Sequence, residues 1–203
     1  MVPAFVSRHP RSAPRLLIVP GLHDSGPAHW QSWLQQGDRR AVRVVQRDWT
    51  LPDLDRWASR IDSTIERAGA GPWIAVAHSF GCLAVARHLA QQPDSPIAAA
   101  LLVAPADPDK FGVAALLPTQ PLEVPSTMVI SDTDPWMAAS HARRLAQRWG
   151  SSTIHLGNAG HINTEAGFGP LPLARRWVTT MSQRLERTHR PDRAAFAEWS
   201  FAL

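Results

Sequence analysis

Trp73-Ile74-Ala75-Val76-Ala77-His78-Ser79-Phe80-Gly81 opens as an unbroken apolar run and closes on a serine with small residues two positions to either side. A continuous run, as opposed to an alternating one, suits a strand with helices packed on both faces. The Ala- and Leu-rich stretch behind it, from Phe80 to Gln92, reads as a helix stopped by Pro93. Strand, serine and helix in direct succession outline a nucleophile elbow, in which the serine occupies a strained turn and its small neighbours let strand and helix approach without a clash. Ala77 and Gly81 hold those two positions. Ala77 replaces the first glycine of the G-x-S-x-G pattern, at the cost of one methyl in the turn. The same residues also fit a serine that simply caps the helix beginning at Phe80, so the rest of the chain has to decide.

Outward from this segment, further apolar runs recur at Leu16 to Val19, Val42 to Gln46, Ala98 to Val103, Thr127 to Ser131 and Thr153 to Leu156. Helical patterns separate them. Ala28 to Gln36 opens after Gly26-Pro27, and Leu54 to Ala68 follows the start signal Pro52-Asp53 with Trp57, Ile61 and Ile65 on one face. Ala138 to Trp149 is closed by Gly150, and a last helix runs from Leu173 to Arg187. Strands alternating with helices predict an α/β fold, a doubly wound, mainly parallel six-stranded sheet with helices on both faces. Ligands bind beyond the carboxyl ends of the strands in such sheets, so the chemistry is sought in the loops that follow them.

A chain of 203 residues is long enough for one domain with a well-buried core. That domain is predicted over residues 15–187, with a flexible N-terminal segment at 1–14 and a C-terminal tail at 188–203. At 44% hydrophobic and 19% charged, the body lies outside the disordered regime. No stretch approaches the ~18 uninterrupted apolar residues of a membrane span, and residues 1–15 hold no apolar signal-peptide core. A soluble, cytoplasmic protein without a membrane partner is expected. The single cysteine, Cys82, cannot form an internal disulfide and reads as a small buried hydrophobe. The net charge of +4 comes from 20 arginines and one lysine, Lys110, against 17 acids. The arginines stand singly or in pairs, never in the basic runs of about 5–8 residues that track phosphates, so no nucleic-acid partner is expected.

A nucleophilic serine needs a base to take its proton and a carboxylate to orient that base, and after an elbow of this kind they follow in the order Ser, Asp, His. The fifth predicted strand is followed by Ser131-Asp132-Thr133-Asp134-Pro135-Trp136, and the sixth by Gly157-Asn158-Ala159-Gly160-His161-Ile162-Asn163. Asp134, directly before Pro135, is the preferred orienter; Asp132, nearer the strand end, is the alternative. His161 has the glycines it needs to swing its ring over Ser79. His78 adjoins the serine, but its side chain should point the opposite way as a packed, hydrogen-bonded residue. His88 within a helix, and His9 and His189 in the terminal segments, read as solvated surface histidines.

Acyl transfer further needs N–H donors aimed at the developing oxyanion. Phe80 N–H is one. The other should come from the loop Val19-Pro20-Gly21-Leu22-His23-Asp24-Ser25-Gly26, with Leu22 N–H first and His23 next. His23, Trp30 and Trp136 stand beside these loops as possible pocket residues, although packing is the commoner fate of a tryptophan. His23 and His29 are six residues apart, unlike the i,i+4 pair of a helical zinc site, and no partner cluster accompanies them. With neither G-x-G-x-x-G behind a strand nor a Walker lysine, no metal and no cofactor are expected.

Together the segments Pro20-Gly21-Leu22-His23-Asp24-Ser25-Gly26-Pro27-Ala28-His29-Trp30, Ala77-His78-Ser79-Phe80-Gly81, Ser131-Asp132-Thr133-Asp134-Pro135 and Ala159-Gly160-His161-Ile162-Asn163 resemble the retinoblastoma-binding-protein-9-like serine hydrolases, small members of the α/β-hydrolase superfamily, especially the bacterial ones. The opening P-G…G-P-x-H-W segment is the most specific. The resemblance covers residues 15–185 and departs at Ala77. It implies an α/β-hydrolase fold with a minimal cap and a triad of Ser79, Asp134 and His161. The expected activity is cleavage of a small ester or amide through an acyl-enzyme, with Pro105 to Pro125 as the only room for a short cap. Two other uses of these residues are a protein-binding module kept on a hydrolase scaffold, its protein partner unknown, and acyl transfer to an acceptor other than water.

Overall fold

Residues 13–69 and 71–188 are described by the computed structural model. The expectations for the N-terminal segment and the C-terminal tail, with His9 and His189, fall largely outside them. Among the described residues six strands form one parallel sheet: β1 (Arg15–Val19), β2 (Val42–Arg43), β3 (Trp73–Ser79), β4 (Ile97–Pro105), β5 (Ser126–Ile130) and β6 (Ser152–His155), in the order β2-β1-β3-β4-β5-β6. The helices are α1 (Trp30–Gln36), α2 (Leu54–Ala68), α3 (Phe80–Gln91), α4 (Ala139–Arg148) and α5 (Pro172–Thr188).

The apolar runs are continuous because alternate residues of each central strand enter different cores. Leu17, Val19, Ala75 and Ala77 pack with Trp57 and Ile61 of α2, Leu83 of α3 and Leu145 of α4. Leu16, Ile18, Ile74 and Val76 pack on the other face with Trp30 and Leu34 of α1 and Ala174 and Trp177 of α5. Each buried Leu- or Ile-sized side chain contributes about 1.5–3 kcal/mol through area removed from water. The strand order reverses at β1 and β3, so the carboxyl ends of these two neighbours frame a crevice at the switch point.

The edges depart from the sequence reading. β2 pairs through two residues only, after which Val44 N–H still donates to Ile18 O while Val45 turns outward. β6 carries one inward residue, Ile154, because no strand lies beyond it. α1 starts at Trp30, two residues later than expected, since the His29 imidazole accepts from Gln31 N–H and caps the helix there. His88 is not a surface histidine. It is 2% exposed with Nε2 at 2.8 Å from Ser95 Oγ, because α3 lies against both α2 and the sheet. Cys82 is buried, and that burial pushes its thiol well above the usual range. Among the described residues no helix is long and apolar enough to cross a membrane.

Candidate active site

Ser79 ends β3 and precedes α3 with φ 53° and ψ −125°, a conformation that relaxed L-residues avoid. Holding such a residue costs about 1–3 kcal/mol and requires surroundings that over-determine it. Two glycines make the turn possible. A Cβ on Gly81 would lie 2.4 Å from the Pro20 carbonyl oxygen, and one on Gly21 would lie 2.7 Å from Ser79 Cβ. On the far side, β4 bulges: His78 pairs with Val103 and Ser79 with Pro105, skipping Ala104 at φ 45°. Ser79 does not act as a helix cap through its side chain; Oγ lies 2.9 Å from His161 Nε2 instead.

His161 follows β6 on a turn in which Gly157 and Gly160 take φ 63° and 53°. The loops after β5 and β6 are stitched together. Ser131 Oγ accepts from Ala159 N–H and Thr133 Oγ1 from Gly160 N–H, both at 3.1 Å. This brings Nδ1 of His161 to 2.9 Å from both carboxylate oxygens of Asp134, whose side chain is 3% exposed. A carboxylate only accepts, so Nδ1 carries the proton and Nε2 is left to accept from the Ser79 hydroxyl. Trp136 N–H donates to Asp134 Oδ1 at 2.9 Å and fixes the carboxylate in turn. Asp132 lies apart, its half-exposed carboxylate 3.9 Å from His155.

Phe80 N–H directly follows the serine at the start of α3. Across the crevice, a turn over residues 21–24 is closed by Asp24 N–H on Gly21 O, with His23 and Asp24 at φ 66° and 61°. His23 N–H donates to Trp49 O at 2.9 Å and is thereby committed, whereas Leu22 N–H makes no hydrogen bond among the described residues. Beside the turn, the buried Gln31 bridges β1 and β3, its Nε2 donating to Val19 O and Val76 O at 3.1 and 3.0 Å. Sequence reasoning missed Gln31, since a glutamine in a short helix carries no signal of a buried role.

A cavity of about 280 Å³ opens over Ser79 and His161, with Leu22, Ala106, Phe111 and Trp136 as its apolar wall and His23, His29 and Asn163 among its polar groups. Two larger concavities, of about 620 and 630 Å³, lie along α2 and beside Asp24 and Arg43; neither touches Ser79 or His161. Trp136 is 51% exposed at the rim. Lys110 Nζ donates to Pro135 O and ties the Phe111 loop to that rim, so the cap amounts to this loop and a 3-10 turn at Ala114–Leu116. Trp30 is not a pocket residue. It is fully buried, with Nε1–H on Ile162 O, because α1 turns that face into the core.

His78 is packed and hydrogen-bonded as expected, but beside the site and not away from it. It packs behind His161, ring centroids 4.9 Å apart, and His29 stands 4.9 Å beyond it. Burial holds His78 well below the ordinary imidazole range; it lowers His29 to about 4, with Arg43 adding to the effect. One other group of ligand-type residues, Asp107, Asp109 and His141, lies nearby among the described residues. The imidazole turns one nitrogen toward each carboxylate, at 3.2 and 3.7 Å, and links the loop after β4 to α4.

The sequence profile of a family described as serine hydrolase matches residues 16–180. Among curated proteins none matches the chain. A solved structure described as a YdeN-like hydrolase of Pectobacterium atrosepticum is 38% identical, with a TM-score of 0.79 over 84% of this chain and 91% of that one. The ydeN gene product of B. subtilis is 20% identical, with a TM-score of 0.69 over 82% and 97% of the two chains. An esterase, RhEst1 from Rhodococcus sp. ECU1013, is 15% identical with a TM-score of 0.62 over 84% and 90%. At their level of identity the last two show the α/β-hydrolase fold alone.

Proposed function

The chain belongs to the serine hydrolase family, and from that premise we propose that it cleaves a small ester or amide through an acyl-enzyme on Ser79. The observation that carries this is the unbroken line from Ser79 Oγ to His161 Nε2 and from His161 Nδ1 to Asp134, each link 2.9 Å. As Ser79 Oγ attacks the substrate carbonyl, Nε2 takes its proton, and Asp134 stabilises the imidazolium and holds its tautomer. The amides of Phe80 and Leu22 face the developing oxyanion; one such donor is worth roughly 2.7–4 kcal/mol of barrier. The imidazolium then protonates the leaving group, and water reverses the sequence to free the acid. A cavity of about 280 Å³, below the usual range for drug-sized ligands, together with the apolar wall of Leu22, Phe111 and Trp136, favours a short acyl chain. The P-G…G-P-x-H-W segment further supports placing the protein with the retinoblastoma-binding-protein-9-like branch.

The test is labelling with a fluorophosphonate and turnover of short-chain aryl esters and amides by the wild type, Ser79→Ala, His161→Ala and the double variant. Each single change should remove labelling and turnover. The double variant should lose little more than either, because a base without a hydroxyl proton to accept has nothing left to contribute. A folded Ser79→Ala that retains wild-type turnover overturns the reading.

A further inference from the structure

Two side-chain N–H groups outside the Ser79–His161–Asp134 line reach the backbone of the turn that carries His161. His78 Nε2 is 2.9 Å from the carbonyl oxygen of His161, and Trp30 Nε1 is 2.9 Å from the carbonyl oxygen of Ile162. A carbonyl only accepts, so His78 presents its Nε2–H tautomer. Both donors are buried and come from different layers, one on β3 and the other on α1.

The carbonyls they hold are consecutive and flank a strained residue. Ile162 has φ 49°, a value that a β-branched side chain adopts only under constraint. Released from its anchors, the turn would relax toward negative φ and rotate the preceding peptide, and with it the Cα–Cβ direction of His161. His78 is also the residue next to Ser79 on β3, so one short piece of strand grips His161 at two points, the ring through Ser79 Oγ and the backbone through His78 Nε2. The rings of His29, His78 and His161 pack in a row, edge-on between His29 and His78 and tilted between His78 and His161, and fill the space behind the imidazole.

We propose that His78 and Trp30 are positioning residues for the base, holding the turn at Ile162 so that the His161 imidazole is delivered to Ser79. This rests on the reading of Ser79 and His161 given above. It accounts for two residues of the sequence motifs, the histidine before the serine and the tryptophan of the His29-Trp30 pair, that no step of the chemistry uses directly.

The experiment compares wild type with His78→Phe, which keeps a ring and loses the donor, His78→Gln, whose amide N–H reaches about as far as Nε2, and Trp30→Phe. Melting temperatures are measured first, and kinetics are run well below the lowest of them. Misplacing a catalytic group by about 1 Å costs on the order of 100-fold. His78→Phe and Trp30→Phe are therefore expected to slow fluorophosphonate labelling and kcat on p-nitrophenyl acetate by roughly 10- to 100-fold with KM within about twofold. His78→Gln should recover most of that loss, whatever its melting temperature. A folded His78→Phe or Trp30→Phe that labels at the wild-type rate overturns the proposal. So does a His78→Gln no faster than His78→Phe, the pattern of a purely structural role. If the wild type itself is not labelled, or Ser79→Ala labels equally well, the reading of Ser79 fails and takes the proposal with it.

Discussion

Ser79 stands out at the scale of a single residue, since its Cβ is held where glycine would sit more easily. Among the described residues the non-glycines at positive φ are His23, Asp24, Ser79, Ala104 and Ile162, and all lie on loops or strand ends at the carboxyl edge of the sheet. Strain gathered at one edge is the pattern of a built site. A direct consequence concerns two variants of this residue. Ser79→Ala and Ser79→Gly both lose the hydroxyl, but only glycine also releases the backbone. Relief of about 1–3 kcal/mol less a glycine entropy cost of about 0.5–1 kcal/mol should leave Ser79→Gly the more stable by roughly 0.5–2 kcal/mol. At about 2–4 °C per kcal/mol for a domain of this size, calorimetry should show a gap of about 1–8 °C. Within a helix the order is the opposite, alanine being the more stable.

Elements meet at the crevice through two glycines with different jobs. A methyl on Gly81 would strike the carbonyl oxygens of Pro20 and Val19, both backbone atoms of the β1 end. Gly81→Ala should therefore cost about 1–3 kcal/mol of stability by forcing α3 away from β1, visible as a lower urea midpoint with an unchanged slope. A methyl on Gly21 would meet Ser79 Cβ at 2.7 Å and Oγ at 3.3 Å, so Gly21→Ala should depress kcat more than melting temperature. The central elements were legible because continuous apolar runs, Gly and Pro punctuation and the elbow all pointed the same way: β1, β3, β4 and β5 fall where the sequence places them. What escaped depended on partners distant in sequence. β2 and β6 are cut short or exposed because they form the edges of the sheet, a position no local pattern encodes. His88 and Trp30 resemble surface and pocket residues until α3 and α1 are docked. The Ser79, Asp134 and His161 positions could be read from chain order and the strand ends, whereas Gln31 and the grip of His78 and Trp30 on the His161 turn arise only in three dimensions.

At the scale of the whole molecule, three imidazoles among the described residues, His29, His78 and His88, are held below their ordinary range chiefly by burial, His29 at about 4. The unfolded chain binds protons at these sites near pH 6.5, while the folded protein takes up the His29 proton only near pH 4. Stability from this source is thus complete above pH 6.5 and is lost progressively as pH falls toward 4. Melting curves should be nearly flat from pH 8 to 7 and drop by several degrees by pH 5, with a shallower fall in His88→Gln. The parallel sheet has a further consequence. No parallel pair can be closed by a tight hairpin, and Ser79 and His161 stand 82 residues apart in the chain. Pairings of such long range close slowly in refolding, so fluorophosphonate labelling should return no earlier than native tryptophan fluorescence and later than the far-ultraviolet helix signal. On the ribosome the same spacing becomes a delay: at about 5–20 residues per second, Ser79 is synthesised roughly 4–16 s before His161. The proposed nucleophile is therefore made long before the proposed base, which is added only after all six strands of the sheet have been synthesised.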